Sequence, residues 1–146
     1  MFWAKLGILE ETLKQELLHA AQLDNKHRGE LAELAFMRKA STLGFAVAKP
    51  WGDSDRYDVV VRVGQVFWHV QIKSVRAKAP QRSHYRVHTV NWLKAPYKAD
   101  EIDFLVAYIV PEDTWYVFPV LIVENRKSLC ITPRSKRSPF EPYREA

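Results

Sequence analysis

Four residues on two neighbouring β-rich segments could together hydrolyse a phosphodiester bond: Asp58, Gln71, Ile72 and Lys73. This reaction needs a hard divalent cation that polarises the phosphoryl oxygen and generates hydroxide from water. Mg²⁺ prefers oxygen ligands, usually one or two carboxylates together with substrate phosphate and water. Asp58 would supply a carboxylate, Gln71 a neutral carbonyl oxygen and Ile72 its backbone carbonyl. The Lys73 ammonium would stabilise charge developing on the phosphate or orient the attacking water.

A tight hairpin would bring these residues together. Gly64-Gln65, a Gly-X pair suited to a type II′ turn, separates the two β-rich segments. A two-residue loop places Asp58 opposite Gln71, and side-chain alternation puts both on one face with Lys73. The same face carries Val60, Arg62, Phe67 and His69. A solvated polar face is the more common arrangement for a hairpin taken alone, but an acid, an amide and a lysine gathered at the end remote from the turn favour a functional site.

A second carboxylate belongs to a predicted amphipathic helix that follows the Asp24-Asn25 cap and stops at Gly44. At about 100° per residue, Glu33 falls inside the apolar stripe of this helix. The stripe consists of Ala32, Phe36, Ala40 and Leu43, with Met37 extending it. A carboxylate directed at a core is costly unless it is paired. Glu33 is therefore either a rim residue paired with a base or a second metal ligand.

The ordered series of motifs resembles the PD-(D/E)xK nuclease superfamily, whose core is an Asp, a β-turn and then (Asp/Glu)-X-Lys. Here Gln71 replaces the second acid, as in the branch typified by the homing endonucleases of bacterial group I introns. The resemblance extends from about residue 28 to residue 146. Its motifs include Arg28-Gly29-Glu30-Leu31-Ala32-Glu33, Lys49-Pro50-Trp51-Gly52-Asp53, Tyr57-Asp58-Val59-Val60, Val70-Gln71-Ile72-Lys73 and Phe118-Pro119-Val120. The proline that names the superfamily is replaced by Tyr57.

The resemblance implies a restriction-endonuclease-like core, with a central mixed β-sheet flanked by helices, and metal-dependent cleavage of DNA. It places Glu33, Asp58, Gln71 and Lys73 at active-site positions, with the metal on Asp58, Glu33 and the Ile72 carbonyl. Mg²⁺ is the expected cofactor, and Mn²⁺ a plausible substitute. The superfamily also contains junction resolvases and inactive relatives, so substrate and catalysis do not follow from the resemblance.

The positive charge is concentrated in one segment. The chain has 22 Lys and Arg against 17 Asp and Glu, a formal net charge of +5. Residues 74–98 contain no acid and carry Arg76, Lys78, Arg82, Arg86, Lys94 and Lys98, interleaved with Tyr85, Trp92 and Tyr97. Basic and aromatic side chains in this mixture are typical of nucleic-acid binding. An ordinary solvated face is the alternative, but the position of the segment directly after Lys73 favours DNA.

The periodicity of the chain predicts an α+β fold in one domain, residues 1–146. An additional N-terminal helix is expected over residues 4–23, within an extension of residues 1–25, and a helix start near residues 142–146. Strands are expected at residues 45–48, 57–63, 66–74, 85–89, 103–110, 114–120 and 128–131.

These observations predict a Mg²⁺-dependent endodeoxyribonuclease. A homodimer or higher homo-oligomer is expected, because cutting both strands of a duplex usually requires two active sites. The alternatives are a catalytically inactive nucleic-acid-binding protein on the same fold and a Holliday-junction-type resolvase. The single Cys130 excludes an internal disulfide. No apolar run reaches the roughly 18 residues of a membrane span, so a cytoplasmic protein without a membrane partner is expected.

Overall fold

The computed structural model describes residues 24–145. Its helices are α1 (Asn25–Thr42) and the single-turn α2 (Val120–Val123), with 3₁₀ turns at Val110–Glu112 and Glu141–Tyr143. Its strands are β1 (Ala46–Ala48), β2 (Val59–Val63), β3 (Val66–Val75), β4 (Tyr85–His88), β5 (Phe104–Ile109), β6 (Thr114–Pro119), β7 (Ser128–Ile131) and β8 (Arg144–Glu145). The helix predicted over residues 4–23 lies outside the described residues.

Within residues 24–145, six strands form a mixed sheet in the order β1-β2-β3-β5-β6-β8, and β4 pairs with β7 in a second, two-stranded sheet. β3 and β5 run parallel, whereas the other neighbours in the large sheet are antiparallel. The fold is α+β with a restriction-endonuclease-like sheet, as the sequence predicts. Neither helix in this part of the chain has the length and apolar character needed to cross a membrane.

The hairpin of β2 and β3 has the predicted register. Val63 pairs with Val66 and Val59 with Val70, so the loop is the two residues Gly64-Gln65. Gly64 adopts a φ of 61°, the positive value that the first position of a type II′ turn requires. Asp58 precedes β2, yet its backbone N–H still donates to the Val70 carbonyl over 2.9 Å. Because Val59 already pairs with Val70, this bond does not extend the ladder, and it is the hydrogen bond between the Gln71 and Asp58 side chains that shows them on the same side of the sheet.

The sheet has a buried core on each face. The core towards α1 contains Ala32, Val59, Val61, Val70, Ile72, Val106 and Trp115. The core towards β4 and β7 includes Tyr85, Val87, Leu105, Ala107, Ile109, Tyr116, Phe118, Leu129 and Ile131. Gln71 and Lys73 pair with Leu105 and Ala107 in the parallel ladder, which places both side chains on the face towards β4 and β7.

Helix α1 begins and ends as predicted, but Leu43, predicted as part of its apolar stripe, is not buried. The Asp24 side chain caps the helix by accepting from the His27 backbone N–H over 2.8 Å. Ala32 and Ala40 are buried against the sheet, whereas Leu43 is 68% exposed. Leu43 is the C-cap and Gly44 has a φ of 92°, so the chain has already left the helix there. The helical periodicity therefore no longer directs the Leu43 side chain to the core.

The other differences concern the ends of elements. Val120 starts α2 instead of ending β6, and its backbone N–H donates to the Asp103 carbonyl over 2.9 Å. The predicted C-terminal helix start is a 3₁₀ turn followed by β8. β8 pairs with β6 through Trp115–Glu145 and Tyr116–Arg144, so the sheet edge captures this segment in an extended conformation.

Candidate active site

The Asp58 carboxylate is held at the start of β2 by two donors from β3. Its Oδ2 accepts from the Gln71 side-chain amide over 2.6 Å and from the Ile72 backbone N–H over 2.8 Å. These contacts exist because the pairing of Val59 with Val70 brings Asp58, just before β2, next to Gln71 and Ile72 on β3. The structure therefore brings together the acid and the amide that the sequence predicts as site residues.

The Gln71 amide bridges two oxygens. Besides donating to Asp58, its Nε2 lies 3.3 Å from the Ile72 carbonyl oxygen. A carboxylate and a carbonyl that share one N–H donor group create a position of negative potential suited to a positive charge. They are also two of the oxygen ligands predicted for a metal, and a hard divalent cation prefers such oxygens. The donor chemistry at this position thus fits Mg²⁺.

Burial raises the pKa of the Asp58 carboxyl from its ordinary 3.8 to about 6. The Ile72 N–H bond acts in the opposite direction and lowers this pKa, as do the charges of Lys73 and Lys49. The charge of Glu33 raises it further. Burial therefore disfavours the ionised form of Asp58, and a nearby cation would stabilise it.

Lys73 lies on the same face and is largely buried. Its Nζ donates to the Val90 carbonyl over 3.4 Å and lies 5.4 Å from the centre of the Tyr97 ring. Burial lowers the pKa of Lys73, the negative charge of Asp58 raises it, and the positive charge of Lys94 lowers it. The Lys73 ammonium is thus held in a partly desolvated position under the electrostatic influence of Asp58, where a phosphate would be strongly attracted.

Glu33 is paired with a base, one of the two alternatives derived from the helix. Its carboxylate forms a salt bridge with Lys49, which follows β1. The hydrogen bond to Glu33 raises the pKa of Lys49, and the charge of Asp58 raises it further. Because Glu33 also raises the pKa of Asp58, the two carboxylates act on each other electrostatically. Lys49 belongs to the quoted Lys-Pro-Trp-Gly-Asp motif, but nothing in the sequence indicated its partner.

The carboxylates do not form a ready-made metal cluster. Among residues 24–145, no group of three or more His, Cys, Asp and Glu side chains could hold a metal ion. His69, on the same face of the hairpin, is engaged elsewhere, with its Nδ1 3.0 Å from Asp103 Oδ2. A metal here would depend on carboxylate, carbonyl and amide oxygens together with its own waters and the substrate.

The sequence matches the family described as PD-(D/E)XK endonuclease over residues 23–140. The chain belongs to this family. A solved structure titled as that of a bacterial homing endonuclease, I-Ssp6803I, is similar, with a TM-score of 0.76 and 28% sequence identity over 84% of this chain and 89% of that chain. The Holliday junction resolvase Hjc of Archaeoglobus fulgidus gives a TM-score of 0.47 and 18% identity over 72% of this chain and 84% of that chain, which is too low to bear on function. No curated protein sequence matches the chain.

The nuclease has an open cleft of about 690 Å³ beside Gln71 and Lys73. Its other lining residues are Asp55, Arg56, His88, Val90, Asn91, Trp92, Lys94, Tyr97 and Lys127. Among the described residues, four cationic side chains therefore line this cleft, including Lys73. Arg56 and Lys127 were not among the predicted nucleic-acid-binding residues, because each lies far in sequence from the basic segment.

The six basic residues predicted to bind nucleic acid occupy different environments. Lys94 lines the cleft, and Arg86 is exposed on β4 on the same side as His88. Lys78 Nζ lies 5.9 Å from the centre of the Tyr85 ring, and the charge of Arg76 partly offsets the rise in the pKa of Tyr108 that burial causes. Arg82 and Lys98 are exposed. A segment that is contiguous in sequence is thus distributed over several surfaces.

Proposed function

We propose that the protein is a metal-dependent endodeoxyribonuclease that hydrolyses phosphodiester bonds within DNA. One observation carries the proposal: Gln71 and Lys73 line a cationic cleft, and Gln71 is hydrogen-bonded to the Asp58 carboxylate. This arrangement sets an oxygen-rich cation position beside a desolvated ammonium, which is what phosphodiester hydrolysis requires. Membership of the PD-(D/E)XK endonuclease family supports the reaction class.

Asp58, Glu33 and the Ile72 carbonyl would hold Mg²⁺, with Mn²⁺ as a substitute. The bound ion would supply Lewis-acid polarisation of the phosphoryl oxygen and a hydroxide nucleophile. Gln71 would present its Oε1 in place of its Nε2, because the N–H group that now bridges Asp58 and Ile72 cannot face a cation. Glu33 would be shared between the ion and Lys49, its present partner.

Lys73 would bind the phosphate at the cleavage site. Its ammonium lies beside Asp58 in a position where burial lowers its pKa, so it has lost part of its hydration. A partly desolvated cation stabilises a developing negative charge more strongly than a hydrated one does. The Val90 carbonyl and the Tyr97 ring hold the side chain in place.

DNA is the proposed substrate because the cleft combines cations with exposed aromatic surface. Arg56, Lys94 and Lys127 line it together with Trp92, which is exposed, whereas Tyr97 lines it as a buried residue. Such a lining neutralises phosphates and packs against sugars or bases. The similarity to a structure titled as a bacterial homing endonuclease favours DNA among the polyanions. Arg76, Lys78, Arg82, Arg86 and Lys98 would extend the basic surface beyond the cleft.

We further propose that residues 1–146 act as one domain in a homodimer or higher oligomer, because two strands are cut most simply by two active sites. A cytoplasmic location is proposed because Cys130 is an exposed free thiol, which suits a reducing compartment. Light scattering coupled to size-exclusion chromatography tests the oligomer, and a monomeric mass at micromolar concentration would contradict it.

Cleavage of supercoiled plasmid with Mg²⁺, with Mn²⁺ and with EDTA tests the reaction. Nicking is expected with either metal and not with EDTA. The nicking rates of Lys73→Ala and Asp58→Ala should be at least about 100-fold lower than that of the wild type. Lys136→Ala, an exposed lysine that does not line the cleft, is the matched control. Nicking that persists unchanged in both site variants would contradict the assignment.

The same experiment separates the two alternative functions. A four-way junction that is cut while linear duplex and plasmid are spared would identify a resolvase. DNA binding without cleavage of any substrate would identify a binding protein that has lost catalysis.

A further inference from the structure

A tight turn at residues 90–96 presents two apolar side chains to solvent beside the cleft. Val90 and Pro96 form an antiparallel bridge at its base, and the Asn91 backbone N–H donates to the Ala95 carbonyl over 2.8 Å. Trp92 is 75% exposed and Leu93 57% exposed. A large aromatic and a leucine adjacent to each other on a turn tip are unusual for a surface whose only contact is water.

Asn91 makes this turn rigid. Its side chain is 6% exposed, and its Oδ1 accepts from the backbone N–H groups of Leu93, over 2.9 Å, and Ala95, over 3.3 Å. Lys94 adopts a φ of 63°, and its N–H donates to the Asn91 carbonyl over 2.9 Å. The tip is therefore preorganised, so its side chains would lose little conformational entropy on binding.

The turn is attached directly to the candidate active site. The Val90 carbonyl at its base accepts the 3.4 Å hydrogen bond from Lys73 Nζ. Asn91, Trp92 and Lys94 line the same cleft as Gln71 and Lys73. The tip is thus held at a fixed offset from the position proposed for the cleaved phosphate.

The charges around the tip suit a nucleic acid. The Arg56 guanidinium lies 5.0 Å from the centre of the Trp92 ring and forms an ion pair with Glu101 at 3.4 Å. Arg56 orients the ring from one side, while Lys94 follows Leu93 on the turn itself. An apolar tip flanked by cations matches a base step flanked by its two phosphates.

We propose that Trp92 and Leu93 form a wedge that inserts between neighbouring base pairs of the DNA substrate, with Arg56 and Lys94 on the adjacent phosphates. The proposal rests on DNA being the substrate of the cleft. Insertion unstacks one step and bends the duplex, which brings the neighbouring phosphate down to Lys73. Trp92 is therefore a substrate-binding residue, and it favours duplex DNA in which neighbouring base pairs separate easily.

Unstacking of 2-aminopurine tests the wedge in the absence of cleavage. The probes are mixed-sequence duplexes that each carry one 2-aminopurine, moved through successive positions, and the full chain is added in EDTA. Wild type should increase the fluorescence at a confined set of positions. Trp92→Ala should abolish the increase and weaken binding about tenfold, whereas Trp92→Phe should retain most of both because it keeps an aromatic face.

Matched variants separate the wedge from general DNA binding. Leu93→Ala should reduce the fluorescence increase, whereas Leu121→Ala, another exposed leucine on α2, should leave it unchanged. Neither Trp92→Ala nor Leu93→Ala removes a charge, so the salt dependence of binding should keep its slope. A full fluorescence response in Trp92→Ala overturns the proposal.

Two further outcomes distinguish this proposal from the proposed function. If Mg²⁺ supports no cleavage but unstacking still depends on Trp92, the nuclease assignment fails and the wedge stands. If Trp92→Ala leaves DNA binding and unstacking intact but abolishes a concentration-dependent self-association of the free protein, the tip is an interface between copies and the wedge is overturned.

Discussion

The side-chain amide of Gln71 donates a 2.6 Å hydrogen bond to Asp58 Oδ2 and at the same time lies 3.3 Å from the Ile72 carbonyl oxygen. Gln71 therefore satisfies both oxygens proposed as metal ligands while no cation bridges them. Because an amide carries a donor at one end and an acceptor at the other, rotation of the same side chain would replace the donor by an oxygen. Metal binding and the orientation of Gln71 should consequently be linked.

The substitution Gln71→Glu should strengthen metal binding and lower the stability of the metal-free protein. The new carboxylate lies against Asp58, so the two negative charges repel each other and raise the pKa of Asp58 above about 6. We expect Mg²⁺ affinity, measured by calorimetry without DNA, to rise, and the free energy of unfolding in EDTA at pH 7.5 to fall by about 1–3 kcal/mol. Gln65→Glu on the exposed hairpin turn makes the same charge change and should alter neither quantity.

The stability of the protein should depend on the ionisation of Asp58. Its pKa is about 6 in the folded protein and near its ordinary 3.8 when unfolded, so the folded state binds this proton more tightly. Protonated Asp58 therefore stabilises the folded state at low pH, and this stabilisation is lost as the pH rises from about 4 to 6. The free energy of unfolding should fall by about 3 kcal/mol in total over this range.

Asp58→Asn should therefore stabilise the metal-free protein at neutral pH. The amide oxygen can still accept from the Ile72 N–H, but no buried charge remains. We expect urea unfolding in EDTA to show a gain of about 1–3 kcal/mol at pH 7.5 that vanishes near pH 4. Asp100→Asn at an exposed position is the control. An equal gain at both pH values would contradict the assigned pKa.

Glu33→Gln should lower the pKa of Asp58 and weaken metal binding. The Glu33 charge is among the causes that raise the pKa of Asp58, so neutralising it lets Asp58 ionise more easily. Carboxyl ¹³C NMR should report a pKa below about 6, and calorimetry a Mg²⁺ affinity at least about tenfold weaker. Glu30→Gln, an exposed neighbour on α1, should change both far less. Unchanged metal affinity would remove Glu33 from the proposed ligands.

Lys73→Met should separate catalysis from the folding of the site. The positive charge of Lys73 lowers the pKa of Asp58, so its removal should raise that pKa above about 6 in the metal-free protein. Single-turnover cleavage should fall by about 10²–10³-fold, because the Lys73 ammonium no longer stabilises the negative charge that develops on the phosphate. Lys136→Met, at an exposed position that does not line the cleft, is the matched control. A carboxyl pKa unaffected by Lys73→Met would show that the two charges do not interact.

Lys94→Ala should weaken DNA binding in a salt-dependent manner. Lys94 lines the cleft, so its loss removes about one phosphate contact and should reduce the slope of log affinity against log salt by about 1. Binding measured in EDTA by fluorescence anisotropy at several salt concentrations checks this, with Lys136→Ala as the control. A slope identical to that of the wild type would place DNA outside the cleft.

The local sequence pattern was sufficient to predict which residues lie at the centre of the candidate site. A two-residue turn and the two-residue period of a strand decide which side chains share a face, so Asp58, Gln71 and Lys73 could be placed together before any tertiary contact was known. The cap at Asp24 and the glycine at position 44 likewise located α1. These features depend on residues close in sequence, where backbone geometry alone is decisive.

Only the tertiary structure decided how that site is surrounded. The Lys49 partner of Glu33 lies outside the helix, and the packing of β4 and β7 against the large sheet brings Lys127, directly before β7, into the cleft. The same packing buries Lys73 and sets its pKa, since desolvation depends on every layer around a charge. A run of basic residues could be read from the sequence, but which of them face the cleft depends on loop paths and sheet packing that local periodicity does not encode.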